Sequence, residues 1–339
     1  MRKFIFLFQI FIVLTLAACT QRSPAPIAKT TKVIGDADEC VFWNNFSTPS
    51  KSMLIGNDKS ENGALYVWDV FGNFISKTKT INRPVGVDVR YDMKMQDKNI
   101  DIVVCGVRST NEIKVFEIDS NKKELIDITT DKKIFSNFTK DTYGLTLYKR
   151  PSDGEIFAFV SSKAKDNIHQ IHLKDNGLGK VEGELVRSFG KKDINSFVEG
   201  MVADDSLGFV YFSDETNAIL KYIADPNKND NKLVSKFAKK DGIKGDREGL
   251  ALYKERETEG YLVLSSQGNS TFKIYQREND NKFIKTTSPK GVKNTDGIAI
   301  TNISIMPNYP KGIFAAHNGA GKNFVLYDWQ AFFNQSSNK

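Results

Sequence analysis

Short apolar runs rich in β-branched and aromatic residues alternate along this chain with clusters of glycine, asparagine, aspartate and proline. Such runs, bounded by turn-forming residues, are typical of β-strands. One opening pattern recurs six times, at residues 38–43, 87–91, 143–148, 199–204, 248–253 and 296–300. The spacings between Gly144, Gly200, Gly249 and Gly297 are 56, 49 and 48 residues. A period of this length indicates one supersecondary unit that is repeated.

Further strand-like runs follow each opening. The second runs are residues 52–56, 100–106, 155–161, 208–213, 260–265 and 312–316, and the third runs are 64–70, 112–118, 167–173, 217–223, 270–276 and 323–329. Several units add a more polar fourth run. Beyond the N-terminus no segment shows the 3.6-residue periodicity of an amphipathic helix. Six units of four antiparallel strands predict an all-β fold, a six-bladed β-propeller over residues 36–335.

The N-terminus has the pattern of an export signal. Met1-Arg2-Lys3 is basic, residues 4–16 are apolar but too short to span a bilayer, and Leu16-Ala17-Ala18-Cys19 follows. This ending resembles a bacterial lipobox, so we predict a signal peptide over residues 1–18 and lipid attachment at Cys19. The alternative is an ordinary signal peptide that ends at a cysteine. Residues 19–35 are polar and are predicted to form a flexible tether to a membrane of the cell envelope.

Composition narrows the chemistry. The formal charge is +7, which favours anionic ligands, but nucleic acid is not expected as a partner of an exported propeller. We expect a monomer. Cys40 and Cys105 lie inside apolar runs, so buried free thiols and a disulfide both stay open. No cysteine or histidine has the spacing of a zinc site.

Superimposing the six units predicts which side chains meet at one mouth of the central channel, because the first strand of each blade lines that channel. A first ring, at the strand openings, contains Asp38 or Glu39, Asp88, Tyr143, Glu199, Glu248 and Asp296. A second ring, just after the second strands, contains Lys59, Arg108, Lys163, Asp214 with Glu215, Gln267, and His317 with Asn318.

The two rings divide by charge. Blades one to three supply Lys59, Arg108, Lys163 and the Tyr143 hydroxyl, which suit phosphate oxygens. Blades four to six supply Glu199, Asp214, Glu215, Asp246, Glu248 and Asp296, with Gln267 as a further oxygen donor and Asp38 beside them. Crowded carboxylates repel one another unless a cation neutralises them, and hard oxygen ligands in this number suit several Ca²⁺ ions. The pattern predicts a metal-assisted site for phosphate esters.

These residues resemble the β-propeller phytases over nearly the whole chain after the export signal. The stretches that carry the resemblance are 54–56, 87–92, 143–148, 199–205, 248–250, 265–270 and 295–298. The resemblance implies a calcium-dependent, 3-phytase-like phosphomonoesterase that hydrolyses phytate, myo-inositol hexakisphosphate, with metal-activated water. It implies metal ligation by Asp38, Glu199, Glu215, Asp246, Glu248 and Asp296, and phosphate contacts by Lys59, Arg108, Tyr143 and Lys163. The catalytic residues would be Glu199, Lys163, Arg108 and Tyr143.

The chain departs from the pattern of these phytases at several places. Asp38-Glu39-Cys40 stands where Asp-Asp-Pro is usual, and Lys163-Ala164 stands where Lys-Glu is usual. Asn294 and His317-Asn318 replace more acidic residues. Fewer carboxylates predict weaker or fewer calcium sites, or a preferred ester other than phytate. Two alternatives therefore stay open: a non-catalytic propeller that binds calcium and polyphosphate, and another metal-dependent propeller hydrolase such as a lactonase.

Overall fold

The computed structural model describes residues 23–135 and 141–334. The chain opens with β1 (Ala28–Lys29) and then forms six blades in sequence order. Blade 1 is β2 (Ala37–Trp43), β3 (Met53–Asp58), β4 (Leu65–Asp69) and β5 (Phe74–Lys77). Blade 2 is β6 (Pro84–Lys94), β7 (Asn99–Val107), β8 (Glu112–Asp119) and β9 (Glu124–Asp127), with β10 (Ile134–Phe135) also paired to β8. Blade 3 is β11 (Thr142–Lys149), β12 (Ile156–Ser162), β13 (Ile168–Asp175) and β14 (Val181–Phe189).

The second half of the ring repeats this meander. Blade 4 is β15 (Val198–Asp204), β16 (Phe209–Asp214), β17 (Ala218–Ile223) and β18 (Ser235–Phe237). Blade 5 is β19 (Arg247–Lys254), β20 (Gly260–Ser266), β21 (Thr271–Gln276) and β22 (Phe283–Thr287). Blade 6 is β23 (Ile298–Thr301), β24 (Ile313–Asn318) and β25 (Asn323–Asp328), followed by the short helix α1 (Trp329–Asn334). The predicted six-bladed propeller of four-stranded antiparallel sheets is confirmed.

The recurring glycines have one structural cause. In five of the first strands the pairing register shifts at the same place, for instance between Thr142 and Leu145 and between Val198 and Met201, which is a β-bulge. Adjacent bulges touch at the channel: a Cβ on Gly144 would lie 2.2 Å from the carbonyl oxygen of Glu199. Only glycine fits at this contact, and the residue before it stands at the channel mouth.

Apolar side chains fill the spaces between neighbouring blades. Each of the six core clusters draws on two adjacent blades, and Trp43, Trp68 and Trp329 are all buried in them. Cys40 and Cys105 are buried free thiols in different clusters, so the disulfide alternative is wrong. The first strands of all six blades enclose a channel cavity of about 470 Å³.

The ring is closed by the N-terminal segment. Strand β1 pairs antiparallel with β25, with Ala28 opposite Leu326, and supplies the fourth strand of blade 6. Beyond β1, the Thr30 amide donates to the Phe324 carbonyl at 2.9 Å, and Val33 is buried. The predicted tether over residues 19–35 is therefore wrong for its second half. A polar, proline-containing stretch pairs here because an unpaired edge of blade 6 offers it a row of backbone partners.

The predicted signal peptide and the lipidation site at Cys19 lie outside the described residues and stay predictions. Within the described part of the chain, no helix has the length and apolarity needed to cross a bilayer.

Removing the closing strand should destabilise the whole propeller. We expect a protein that begins at residue 34 to melt about 10 °C below one that begins at residue 23. The physical reason is the loss of the β1 ladder and of the buried Val33, which exposes the edge of β25. Thermal unfolding followed by circular dichroism measures the difference. Equal melting temperatures for the two proteins would show that β1 does not contribute to ring closure.

Candidate active site at one mouth of the channel

Five residues of the predicted second ring occupy equivalent places in five blades. They are Lys59, Arg108, Lys163, Glu215 and Gln267, each one residue beyond the end of a second strand. Each backbone amide donates to a carbonyl in the loop before the first strand of the same blade, over 2.7 to 3.1 Å. The acceptors form a third ring, which consists of Asp36, Arg83, Asp141, Phe197 and Asp246. The repeated bond places all five second-ring residues at the same mouth.

Three carboxylates meet at this mouth. Glu199 and Glu248 come from the bulges of β15 and β19, and Glu215 comes from the second ring. One oxygen of each lies within 4.8 Å of the others, and the three residues are only 4% to 7% exposed. The structure thus brings together three of the predicted metal ligands, which are 16 to 49 residues apart in sequence.

The crowding shifts the proton affinity of these groups. Burial, followed by the charge of Asp38, raises the pKa of Glu199 to about 8. Burial, followed by the charges of Glu199 and Asp296, raises the pKa of Glu248 to about 11. Burial also raises the pKa of Glu215, and Asp246 adds to the effect. Without a counter-charge, the cluster therefore holds protons that ordinary carboxylates release.

Several carboxylate oxygens in the cluster and beside it have no hydrogen-bond donor among the described residues. They are Oδ2 of Asp38, Oε1 of Glu215 and Oε2 of Glu248, and all three are buried. A buried carboxylate oxygen without a partner costs free energy that a bound cation would recover. All the atoms of the cluster that could bind a metal are oxygens, and the cluster has no thiolate or imidazole. This set of ligands fits Ca²⁺ better than zinc.

The opposite side of the mouth is cationic and is centred on Tyr143. Burial, followed by the charge of Glu199, raises the pKa of its hydroxyl, and the charge of Glu215 adds to the effect. The Lys163 ammonium lies 4.8 Å from the centre of the Tyr143 ring, and the Arg108 guanidinium lies 5.6 Å from it. Arg108 is further held by Asp141 at 3.0 Å. The predicted phosphate contacts of blades 2 and 3 therefore converge on one aromatic ring beside the acid cluster.

Blades 1 and 6 join the two sides. The Lys59 Nζ lies 2.7 Å from Oδ1 of Asp38. Burial alone would lower the pKa of Lys59, but the charges of Asp38 and Glu199 raise it overall. Asp296 accepts from the Gln267 amide and lies 3.0 Å from Nδ1 of His317. Burial would raise the pKa of Asp296, but these two partners and Lys59 lower it overall. The pKa of Asp296 is thus shifted in the opposite direction from those of its neighbours Glu199 and Glu248.

Two sequence assignments are corrected by the register. Asp214 pairs with Val198 and precedes the ring position by one residue, and its two oxygens accept from the amides of Asn195 and Ser196. It clamps the loop before β15, as Asp58 clamps Gly35 and Asp36 in blade 1. Asp214 therefore stands behind the cluster and is not part of it.

Asp88 is also misplaced in the predicted first ring. The residue before the bulge glycine of blade 2 is Val85, so Asp88 lies three residues deeper in the channel. There it forms a salt bridge with Arg90 and accepts from Thr146 and the Leu147 amide.

Asp141 and Phe197, which the sequence pattern did not single out, stand at the site through the third ring. Their shared place before each first strand is the signal that would have found them.

Fold and site together define a class of protein. It is a six-bladed propeller in which one mouth of the channel presents a buried carboxylate cluster, whose oxygens suit a metal ion, beside fixed cations, which suit a phosphate group.

Comparison with known proteins identifies the family. The phytase family matches residues 17–333. The chain is 33% identical over 310 residues to the 3-phytase of Bacillus subtilis (strain 168), an alignment that covers 87% of this chain and 79% of that protein. The chain therefore belongs to the phytase family of phosphoric monoester hydrolases.

Solved structures share the fold at low sequence identity. A luciferin-regenerating enzyme superimposes with a TM-score of 0.54 at 12% identity, over 89% of this chain and 92% of that one. An auxiliary nutrient binding protein from Bacteroides thetaiotaomicron VPI-5482 gives a TM-score of 0.55 at 11% identity, over 90% and 76% of the two chains. At this identity, the likeness concerns the propeller architecture alone.

Proposed function

We propose that this protein is a calcium-dependent phosphatase that hydrolyses phytate to lower inositol phosphates and inorganic phosphate. The observation that carries the proposal is the buried cluster of Glu199, Glu215 and Glu248, with unpaired oxygens, next to Lys163 and Arg108. Membership of the phytase family supplies the substrate class.

The acid side of the mouth would hold the calcium ions. Glu199, Glu215 and Glu248 would supply the central ligands, with Asp38 and Asp296 at the edges. Gln267 donates its amide hydrogen to Asp296, which leaves its carbonyl oxygen as a further ligand atom. Bound calcium would polarise the phosphoryl group and lower the pKa of the attacking water.

The cationic side would bind and orient the phosphate. Lys163 forms no ion pair with any described residue, so its ammonium is available to a phosphate oxygen. Arg108 keeps an unpaired buried Nε beside its contact with Asp141. Burial and the charge of Glu199 raise the pKa of Tyr143, so its hydroxyl keeps its proton and can donate to substrate without acting as a base. These donors would stabilise charge that develops on the phosphoryl oxygens.

Phosphate release from phytate by residues 23–339 tests the proposal. We expect release in the presence of Ca²⁺, a loss of at least about a hundredfold with excess chelator, and recovery when calcium is returned. Release that is insensitive to the chelator would overturn the calcium dependence. The sample should start at residue 23, because a later start removes the closing strand β1.

A non-catalytic binding propeller is the second candidate. The observation that favours it is Ala164, which leaves no carboxylate directly after Lys163 at the mouth. In that case, a folded protein would bind calcium and phytate but release no phosphate. Activity on a lactone without activity on phosphate esters would instead indicate another type of propeller hydrolase.

A further inference from the structure

The third ring at the mouth contains one residue that differs in kind from the rest. Asp36, Arg83, Asp141 and Asp246 are charged, and Lys293 fills the same place in blade 6, where its carbonyl accepts from the Gly319 amide. In blade 4 the position is Phe197, whose side chain is 37% exposed. An aromatic side chain open to solvent in a ring of charges presents an apolar surface at the site.

Phe197 contacts the centre of the cationic side. Its ring meets the ring of Tyr143 edge to face, with centroids 6.5 Å apart and planes at 87°. Tyr143 in turn stands beside Glu199 and Glu215, and the Lys163 ammonium lies over its ring. A phosphate ester held by these groups would therefore lie close to the exposed side of Phe197.

The loop that carries Phe197 is held rigidly. Asp214 accepts from the amides of Asn195 and Ser196 at 2.9 Å and from the Ser196 hydroxyl at 2.6 Å. The Phe197 carbonyl accepts from the Glu215 amide at 3.0 Å. The aromatic face is thus positioned before any ligand arrives, which lowers the entropic cost of binding.

We infer that Phe197 is a specificity-determining residue that packs against the carbon skeleton of the substrate. This inference rests on the proposed function and adds to it the residue that recognises the carbon skeleton of the ester, a ring with apolar C–H faces. Aromatic rings pack well against such faces because they bury large apolar area at little conformational cost. A phosphate group without a carbon skeleton has nothing to place against Phe197.

Affinities for two ligands test the inference. For Phe197→Ala and the unchanged protein, both with Ca²⁺, the KM for phytate and the inhibition constant of inorganic phosphate are measured, and titration calorimetry replaces them if no phosphate is released. We expect phytate to bind about tenfold more weakly to Phe197→Ala and inorganic phosphate to bind within about twofold of the unchanged protein. Phe197→Tyr should restore the phytate affinity. Phe46→Ala is the matched control, because Phe46 is also exposed and contacts a tyrosine, Tyr91, but lines the channel on the side of Arg90 and Lys254.

The two readouts separate a substrate contact from a supporting role. Equal weakening of phytate and phosphate would show that Phe197 only positions Tyr143 and would overturn the inference. Unchanged phytate affinity in Phe197→Ala would overturn it as well. If Phe197→Ala shows the ligand-selective effect but the unchanged protein releases no phosphate, the catalytic proposal fails while the contact assigned to Phe197 stands.

Discussion

Glu199→Gln is expected to reduce turnover of phytate by at least about a thousandfold while the propeller stays folded. Glu199 lies at the centre of the mouth, within 4.8 Å of Glu215 and Glu248 and beside Tyr143. The amide has nearly the same shape but removes one of the charges that a divalent cation requires. The loss should therefore appear in kcat and in calcium stoichiometry together.

The measurement is phosphate release at saturating calcium, with calcium binding measured by calorimetry on the same samples. Glu124→Gln is the matched control, because Glu124 is an exposed glutamate on β9, away from the mouth. Lys163→Met should also lower turnover, but with calcium binding retained, because Lys163 faces the substrate side. Turnover in Glu199→Gln at the level of the unchanged protein would remove Glu199 from the site.

The metal-free protein is expected to lose stability as the pH rises from 5 to 9. The pKa of Glu199 is raised by burial and Asp38 to about 8, so the folded state binds a proton that the unfolded chain releases near its ordinary pKa. Stability falls with pH wherever the folded state holds more protons, and for Glu199 alone the loss is on the order of 4 kcal/mol. Glu248, whose pKa is raised by burial and Glu199 to about 11, extends the decline to higher pH. Asp296 has the opposite sign, but its lowered pKa acts below this range.

Urea unfolding of the chelated protein at pH 5, 7 and 9 measures the effect. Calcium should restore most of the stability at pH 9, because the cation replaces the lost protons as the counter-charge. Metal-free Glu199→Gln should depend less on pH than the unchanged protein. Stability that is constant or increases between pH 5 and 9 would mean that the cluster is not buried and crowded in solution.

The repeat could be recognised in the sequence because most blades have the same β-bulge, with a glycine, in their first strand. The bulge demands glycine at Gly144 and Gly200, because the first strands of adjacent blades touch there. Superimposing the repeats then placed Lys59 and Lys163 at matching positions. The repeated backbone bond to the preceding loop shows that they occupy equivalent places, while their contact with phosphate stays a prediction.

The assignments of Asp214 and Asp88 were wrong because the sequence does not show the exact pairing register of each strand. Asp214 and Glu215 are adjacent acids, and only the pairing of Val198 with Asp214 shows that the first clamps a loop while the second faces the cluster. Asp88 lies within the opening at residues 87–91, which looks like the others, but the bulge in blade 2 lies before this stretch, at Gly86. One residue of register changes the face on which a side chain stands.

The number of blades, the strands within them and the types of residue at the mouth could be predicted from the sequence, because they depend on local periodicity and on steric demands within single repeats. The closure of blade 6 by β1, the approach of three carboxylates within 4.8 Å and the contact of Phe197 with Tyr143 are visible only in the three-dimensional structure. Those contacts join residues from different blades or from the two ends of the chain. Their distances depend on how the ring closes, which no repeat encodes alone.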